Sequence, residues 1–158
     1  MSEAAVPMQD SINYSLLFEY IYKGDPEAIR VSHELVLLLH VWDDLIDKDR
    51  EVSAHEINAA FVAALCGIGG SPLWDEHAAH LMSVYYLKWI GANAIEEAPA
   101  TIEEKATAYV SRAAVFDLFL YFVYKLHGLQ WAEEVSELVL RSNGEDFSAY
   151  CQEFEFWR

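Results

Sequence analysis

Basic residues are scarce in this chain. Lysine and arginine number 10 among 158 residues, against 26 aspartates and glutamates, and the formal charge is -16. Nucleic acids and anionic membranes attract proteins through lysine and arginine, so a chain of this charge repels both of them. The composition favours a basic protein partner or a divalent cation instead.

Cysteine is also rare, and the patterns of secretion and membrane insertion are missing. Cys66 and Cys151 lie outside any CxxC pattern, which predicts two reduced core thiols in a cytoplasmic protein. The opening residues MSEAAVPMQD lack the basic and apolar regions of a signal peptide. The longest apolar stretches, LVLLLHVW and AAVFDLFLYFVY, each contain an ionisable residue and fall short of the ~18 to 20 residues that span a bilayer. We expect a soluble chain.

Strand patterns and common catalytic motifs are absent too. No stretch longer than five residues alternates between polar and apolar, and neither a GxSxG elbow nor a glycine-rich phosphate loop is present. Helix signals are frequent instead. Asp25 and Pro26 suit an N-cap and first turn, and SAHE at 53–56 and TIEE at 101–104 have capping-box spacing.

These signals predict an all-α fold, a single-domain bundle of about six helices that covers residues 1–158. Glycines at 67–70, Gly128 and Asn143-Gly144 mark helix ends. The tail from residue 145 predicts a short seventh helix. The six main helices are expected at about residues 11–23, 26–48, 55–68, 72–93, 102–128 and 129–142.

A stripe of ionisable residues follows the second predicted helix, on the side opposite its apolar face. Such a stripe is either the solvated face of a surface helix, which is the commoner case, or the polar lining of a cavity. In the second case Asp43 and Asp47, one turn apart, are placed to share one Mg²⁺ or Mn²⁺, with Asp44 binding directly or through a water. The members of the stripe are His33, His40, Asp43, Asp44 and Asp47.

The residues from Asp43 to Asp47 read DDLID, which resembles the DDxxD motif of the trans-isoprenyl diphosphate synthases and their squalene, phytoene and terpene synthase relatives. In that all-α family the motif lines a central cavity and binds Mg²⁺ that holds a substrate diphosphate. The resemblance implies Asp43, Asp44 and Asp47 as metal ligands, with Arg50 loosely similar to the basic residues that often follow. It covers one helix, because the chain has no second metal-binding motif, and it implies a reduced or non-catalytic member.

Asp117 interrupts the apolar stretch AAVFDLFLYFVY, which predicts a buried carboxylate that needs a partner. Arg112 lies five residues earlier, about 140° around the helix, so it is poorly placed to pair with Asp117 directly. Two interpretations stay open. Asp117 either bonds an arginine or a tyrosine on another helix, or it faces a polar cavity together with Asp43, Asp44 and Asp47.

Two classes of function fit these patterns. The favoured class is a helical binding or structural protein, which docks on a basic partner or self-associates through tail aromatics such as Phe154, Phe156 and Trp157. The alternative is an Mg²⁺-dependent diphosphate-binding enzyme, in which the stripe and Asp117 line one cavity. The aromatic residues near Tyr85 and Trp89 are predicted to serve packing rather than ligand binding.

Overall fold

The computed structural model describes residues 13–48, 50–144 and 146–153, and in these residues all regular structure is helical. The all-α prediction is confirmed, with seven helices in the described part where about six were expected. The helices are α1 Tyr14–Ile21, α2 Pro26–Asp47, α3 Ala54–Val62, α4 Glu76–Glu96, α5 Ile102–Arg112, α6 Val115–Arg141 and α7 Phe147–Glu153.

The predicted caps form, and they fix where three helices begin. Asp25 Oδ1 accepts a hydrogen bond from the Ala28 amide at 2.9 Å, with Pro26 in the first turn of α2. Ser53 and Glu56 make a complete capping box before α3: the Glu56 amide donates to Ser53 Oγ at 3.2 Å, and the Ser53 amide donates to Glu56 Oε2 at 2.8 Å. A second box, from Thr101 to Glu104, precedes α5.

Several helix boundaries differ from the predicted ones. The fourth helix begins at Glu76 rather than near residue 72, since Asp75 caps it by accepting from the Ala78 amide at 3.0 Å. The predicted helix 102–128 is divided at residues 113–114 into α5 and α6, which are bent by 43°. After α3, residues 63–68 continue as a π-helical turn.

Gly128 breaks α6 at the predicted position. Its φ of 81° and ψ of 177° lie outside the helical region and within a region that only glycine occupies easily. The helix resumes beyond it, so the segments predicted as 102–128 and 129–142 meet at a kink.

The main core lies between α1, α2 and α6. α1 packs on α2 and α6, α4 packs on α5 and α6, and α7 packs on α5. The Phe18 and Phe119 rings lie 4.9 Å apart between centroids, at the centre of the core. Full burial of a large apolar side chain contributes roughly 1.5–3 kcal/mol, so this cluster supplies much of the stability. Its fully buried members include Phe18, Ile21, Val31, Leu35, Leu118, Phe119, Phe122, Val123 and Val139.

Within the described residues, no single helix combines the length and apolar content that crossing a membrane requires. The bent pair of α5 and α6 meets both criteria together. Cys151 is buried as predicted, whereas Cys66 is exposed on the π-helical turn, so its predicted core position is wrong. The tail residues Phe154, Phe156 and Trp157 lie outside the described residues.

Candidate functional site

A pocket of about 340 Å³ lies where α2, α4 and the α5–α6 junction meet. Its volume falls within the range of small-molecule sites, roughly 300–1,000 Å³. His40, Asp43 and Asp47 line it from α2, and Arg112 lines it from the end of α5. One edge of the acidic stripe therefore faces a cavity. The aromatic residues of the lining are Tyr14, Trp42, Tyr85, Trp89 and Phe116.

Two members of the stripe point elsewhere. Asp44 lies about 100° around the helix from Asp43, and its Oδ2 is 2.7 Å from Nη2 of Arg50. His33 lies about three turns before Asp44, and its ring makes an edge contact with Phe18 at 5.1 Å between centroids. The stripe is thus divided between a pocket edge, which carries His40, Asp43 and Asp47, and an outer edge, which carries Asp44.

Asp117 is not a buried carboxylate, so that prediction is wrong. Its side chain is 50% exposed, and Oδ2 lies 3.4 Å from Nζ of Lys88 on α4. The reason is helical phase: Phe116 and Leu118 are buried in the core, and the residue between them turns outward. Asp117 also stands in the first turn of α6, where a negative charge is favourable. Asp117 follows Phe116, which lines the pocket, but is not itself among the lining residues.

Arg112 is fixed beside the pocket by a carboxylate that the sequence patterns did not indicate. Its Nε donates to Glu96 Oε1 at 2.8 Å and its Nη2 donates to Glu96 Oε2 at 2.5 Å. Nη2 also donates to Asn93 Oδ1 at 2.8 Å. The hydroxyl of Tyr150, on α7, donates to Oε1 of the same Glu96. Glu96 therefore balances the Arg112 charge, and Nη1 is the guanidinium nitrogen oriented toward Asp43.

Asp43 carries an unusual oxygen. Its Oδ1 is buried and accepts no hydrogen bond from the described residues, although Nη1 of Arg112 lies 3.6 Å away. The side chain as a whole remains 46% exposed. Burial and then the negative charge of Asp47 raise the pKa of Asp43, and these effects exceed the opposing attraction of Arg112. A cation at this carboxylate would offset both the desolvation and the repulsion.

An aromatic wall, formed by Trp42, Tyr85 and Trp89, adjoins the carboxylates. The Trp42 and Trp89 rings lie 4.6 Å apart between centroids, and Tyr86 stacks on Trp42 from the exposed side at 5.8 Å. Burial and the nearby charge of Asp43 raise the pKa of Tyr85 to about 12, so its hydroxyl stays neutral. Sequence patterns assigned Tyr85 and Trp89 to packing alone, because a buried aromatic in a core and one in a pocket wall share the same helical spacing.

The aspartate pair has the chemistry of a hard-cation site but only part of the donor set. Asp43 and Asp47 are one turn apart, and two carboxylates plus waters suffice for Mg²⁺. Asp44 is instead paired with Arg50. No group of three or more His, Cys, Asp and Glu side chains with metal-site geometry occurs in residues 13–48, 50–144 and 146–153.

Comparisons of the chain with protein-family models, with curated proteins and with solved structures found no match. The fold and the pocket by themselves define the class of molecule. It is a small all-α protein with a pocket lined by two carboxylates, by an arginine that is bonded to Glu96, and by an aromatic wall.

Proposed function

We propose that this chain is a binding protein and that its pocket takes a cation, held by Asp43 and Asp47. The observation that carries the proposal is the environment of Asp43, whose Oδ1 is buried and accepts no hydrogen bond from the described residues. Glu96 and Asn93 engage two nitrogens of Arg112, and the third, Nη1, lies 3.6 Å from that oxygen. Asp47 lines the same pocket one turn further along α2. The chain charge of -16 also attracts cations at long range.

The raised pKa of Asp43 supports the same ligand. A carboxylate that burial and a like charge disfavour in its ionised form gains more from a bound cation than a solvated one does. A bound cation would relieve the repulsion between Asp43 and Asp47, and this relief would add to the free energy of binding. Millimolar Mg²⁺ or Mn²⁺ and organic cations all satisfy this requirement.

A second candidate is the Mg²⁺-dependent diphosphate-binding enzyme that the DDxxD resemblance implies. The observation in its favour is that Arg112 Nη1 lies in the same pocket as Asp43 and Asp47, so a basic group and the carboxylates adjoin. Asp43 and Asp47 would hold Mg²⁺, whose positive charge would stabilise the diphosphate. Arg112 would contribute one donor, since Nε and Nη2 are engaged by Glu96 and Asn93.

The proposal also includes a macromolecular partner and a cellular location. The acidic charge favours a basic protein as macromolecular partner or, through exposed apolar side chains such as Phe61 and Leu65, self-association. The free thiols of Cys66 and Cys151 support a cytoplasmic location.

Thermal melting at constant ionic strength tests the cation site. Wild-type protein is melted with increasing MgCl₂, MnCl₂ or an alkylammonium chloride, beside the Asp43→Asn/Asp47→Asn double variant. A cation that binds the folded state raises Tm by mass action, so a saturable rise in the wild type that the double variant loses supports the proposal.

Asp44→Asn is the matched control, because Asp44 has the same chemistry but bonds Arg50 outside the pocket. It should keep the wild-type response. If no cation raises Tm saturably, or if the double variant responds as the wild type does, the binding proposal fails. Pyrophosphate that raises Tm further only when Mg²⁺ is present would favour the second candidate.

A further inference from the structure

We infer that the outer face of α4 is the surface on which a second copy of this chain docks, with the two α4 helices antiparallel. The inference rests on the self-association that the proposed function includes, and it states which surface would carry it. The cation pocket is separate, because its α4 residues Tyr85 and Trp89 lie on the other side of the helix. The α4 face consists of exposed residues: Ser83, Val84, Leu87, Ile90, Gly91 and Ala94.

The α4 helix carries apolar residues on every side, including the side that faces solvent. At 100° per residue, the α4 face lies roughly opposite the buried residues Ala78, Tyr85, Trp89 and Ala92. On the α4 face, Val84, Leu87 and Ile90 are 49%, 66% and 43% exposed. A helix that is apolar all round is normally buried, and a contiguous exposed apolar surface marks an interaction site. A partner is therefore needed to cover the α4 face.

The charge pattern of α4 favours a second copy over a basic protein at this surface. No aspartate or glutamate occurs in residues 77–95, although the chain has 26 of them among 158 residues. Lys88 is the one lysine or arginine of this stretch, and its Nζ lies 3.4 Å from Oδ2 of Asp117. Two copies, each with a charge of -16, repel each other, so they approach most favourably where neither surface carries acidic side chains. A basic protein would be drawn to the acidic surfaces instead.

The spacing of residues on the α4 face suits an antiparallel pair of identical helices. Helices that pack along a seam repeat their contacts at intervals of three and four residues, and this spacing is followed by Val84, Leu87, Gly91 and Ala94. A two-fold contact brings the same patch of both copies together. With the two-fold axis at Leu87, Val84 of one copy meets Ile90 of the other. Ser83 then meets Gly91, so small residues oppose each other.

Gly91 provides space that no described residue of the chain fills. No atom lies within 4 Å of a Cβ added at this position, and a glycine inside a helix lowers stability relative to alanine. The single chain therefore gains nothing from the missing side chain. A second helix would gain, because two backbones can approach closely where one of them has no side chain.

Analytical ultracentrifugation of the full chain tests the contact. One helix pair buries less than the roughly 800 Å² per partner of a standard interface, so we expect a dissociation constant in the micromolar range, which concentrations of roughly 1 to 500 µM cover. Leu87→Gln should weaken association by about tenfold or more, because it places a polar side chain at the centre of the contact. Leu65→Gln is the matched control, since Leu65 is 75% exposed on the π-helical turn, and it should change the affinity by less than about twofold.

Gly91→Gln separates the contact from folding. Because no atom lies near the added side chain in the single chain, the variant should fold with an unchanged or higher Tm, and it should weaken association as strongly as Leu87→Gln does. Circular dichroism melts at a concentration where the chain is monomeric check the first point. A Gly91→Gln variant that folds and associates as the wild type does would overturn the inference.

Disulfide formation identifies a second copy as the occupant. Leu87→Cys is made together with Cys66→Ser, which removes the exposed native thiol. It should give a covalent dimer on mild oxidation, because the two copies of residue 87 meet at the axis, within the roughly 7 Å that a disulfide spans between Cα atoms. Val110→Cys, at a position on α5 that is 67% exposed, should stay monomeric in the same background.

The outcomes separate this inference from the proposed function. Association that Leu65→Gln abolishes and Leu87→Gln leaves intact overturns the role of the α4 face but keeps self-association. A chain that stays monomeric at every concentration overturns both, whereas the cation site is judged by its own melts. A monomeric chain that binds neutral phosphatidylcholine vesicles, and loses this binding in Leu87→Gln, would show that a lipid surface occupies the face and would overturn the second copy.

Discussion

Arg112 at the end of α5 donates two hydrogen bonds to Glu96 at the end of α4, at 2.8 and 2.5 Å. The Glu96 side chain is only 4% exposed, and that of Arg112 is 19% exposed. Tyr150 of α7 adds a third bond to the same carboxylate. The pair thus joins three helices and holds one guanidinium nitrogen at the edge of the pocket, and its integrity underlies both the fold and the site.

Arg112→Met should destabilise the protein by about 3–5 kcal/mol, because it leaves Glu96 buried without its counterion. Urea unfolding measures the loss. Arg141→Met is the matched control: Arg141 pairs with Glu137 on the surface, with both side chains more than three-quarters exposed, and its removal should leave stability nearly unchanged. Equal effects of the two substitutions would contradict the role assigned to the buried pair.

Tyr150→Phe should cost about 1–3 kcal/mol, since the variant loses a hydrogen bond to a charged group while keeping the ring. The rings of Tyr109 and Phe147 keep their contacts with residue 150. Tyr124→Phe, at an exposed position on α6, serves as the control. Denaturant midpoints that coincide for the two variants would show that α7 is not anchored through Glu96.

Two glycine-to-alanine substitutions should change the free energy of unfolding in opposite directions. Gly128→Ala places a side chain at φ 81° and ψ 177°, which should cost on the order of 1–3 kcal/mol. Gly91 lies within α4, exposed and with no atom within 4 Å of an added Cβ, so Gly91→Ala should stabilise by roughly 0.5–1 kcal/mol. Calorimetric melting of both variants measures the two effects. If Gly128→Ala left the stability unchanged, the non-helical backbone at residue 128 would be contradicted.

Asp43→Asn should stabilise the ligand-free protein at pH 7. The pKa of Asp43 is raised in the folded state, so its ionisation favours unfolding, and this penalty grows as pH rises from the ordinary value of 3.8 through the folded pKa. The advantage of the variant should therefore vanish below that ordinary value, where both states are protonated. Urea melts across pH 3 to 7 measure it.

Asp44→Asn is the companion variant for this pH series. It loses an ion pair with Arg50 and should bring no gain at pH 7. If Asp43→Asn is destabilising throughout the range, the attraction of Arg112 exceeds burial and repulsion, and the electrostatic description of the pocket is wrong.

The parts of the fold that the sequence predicted are those that local chemistry decides. Asp25, Ser53 and Thr101 cap their helices within three residues, and Gly128 breaks α6 through its own backbone. The division between α5 and α6 has no such signal, because Ala113 and Ala114 favour helix. At the bend the amides of Ala113 and Ala114 donate to the carbonyls of Val110 and Ser111, three residues earlier, and no local sequence pattern indicates this change.

Only the part of the candidate site that lies on one helix could be predicted from the sequence. Helical spacing grouped His40, Asp43 and Asp47, and these residues do line one pocket. Spacing cannot say which edge of a stripe a neighbouring helix covers, so Asp44 was grouped with them although it bonds Arg50. The pairing of Arg112 with Glu96 joins residues 16 positions apart on two helices, which requires the tertiary fold.

The most direct test of the cation pocket is two-dimensional NMR of the tryptophan indole N–H groups during titration with phenethylammonium. Trp42 and Trp89 line the pocket, whereas the Trp131 indole donates to the Ile21 carbonyl at 2.8 Å, beside α1. We predict that the Trp42 and Trp89 signals shift saturably, that the Trp131 signal stays in place, and that Asp43→Asn/Asp47→Asn abolishes the shifts. Unmoved Trp42 and Trp89 signals, or shifts that persist in the double variant, would contradict a cation pocket at Asp43 and Asp47.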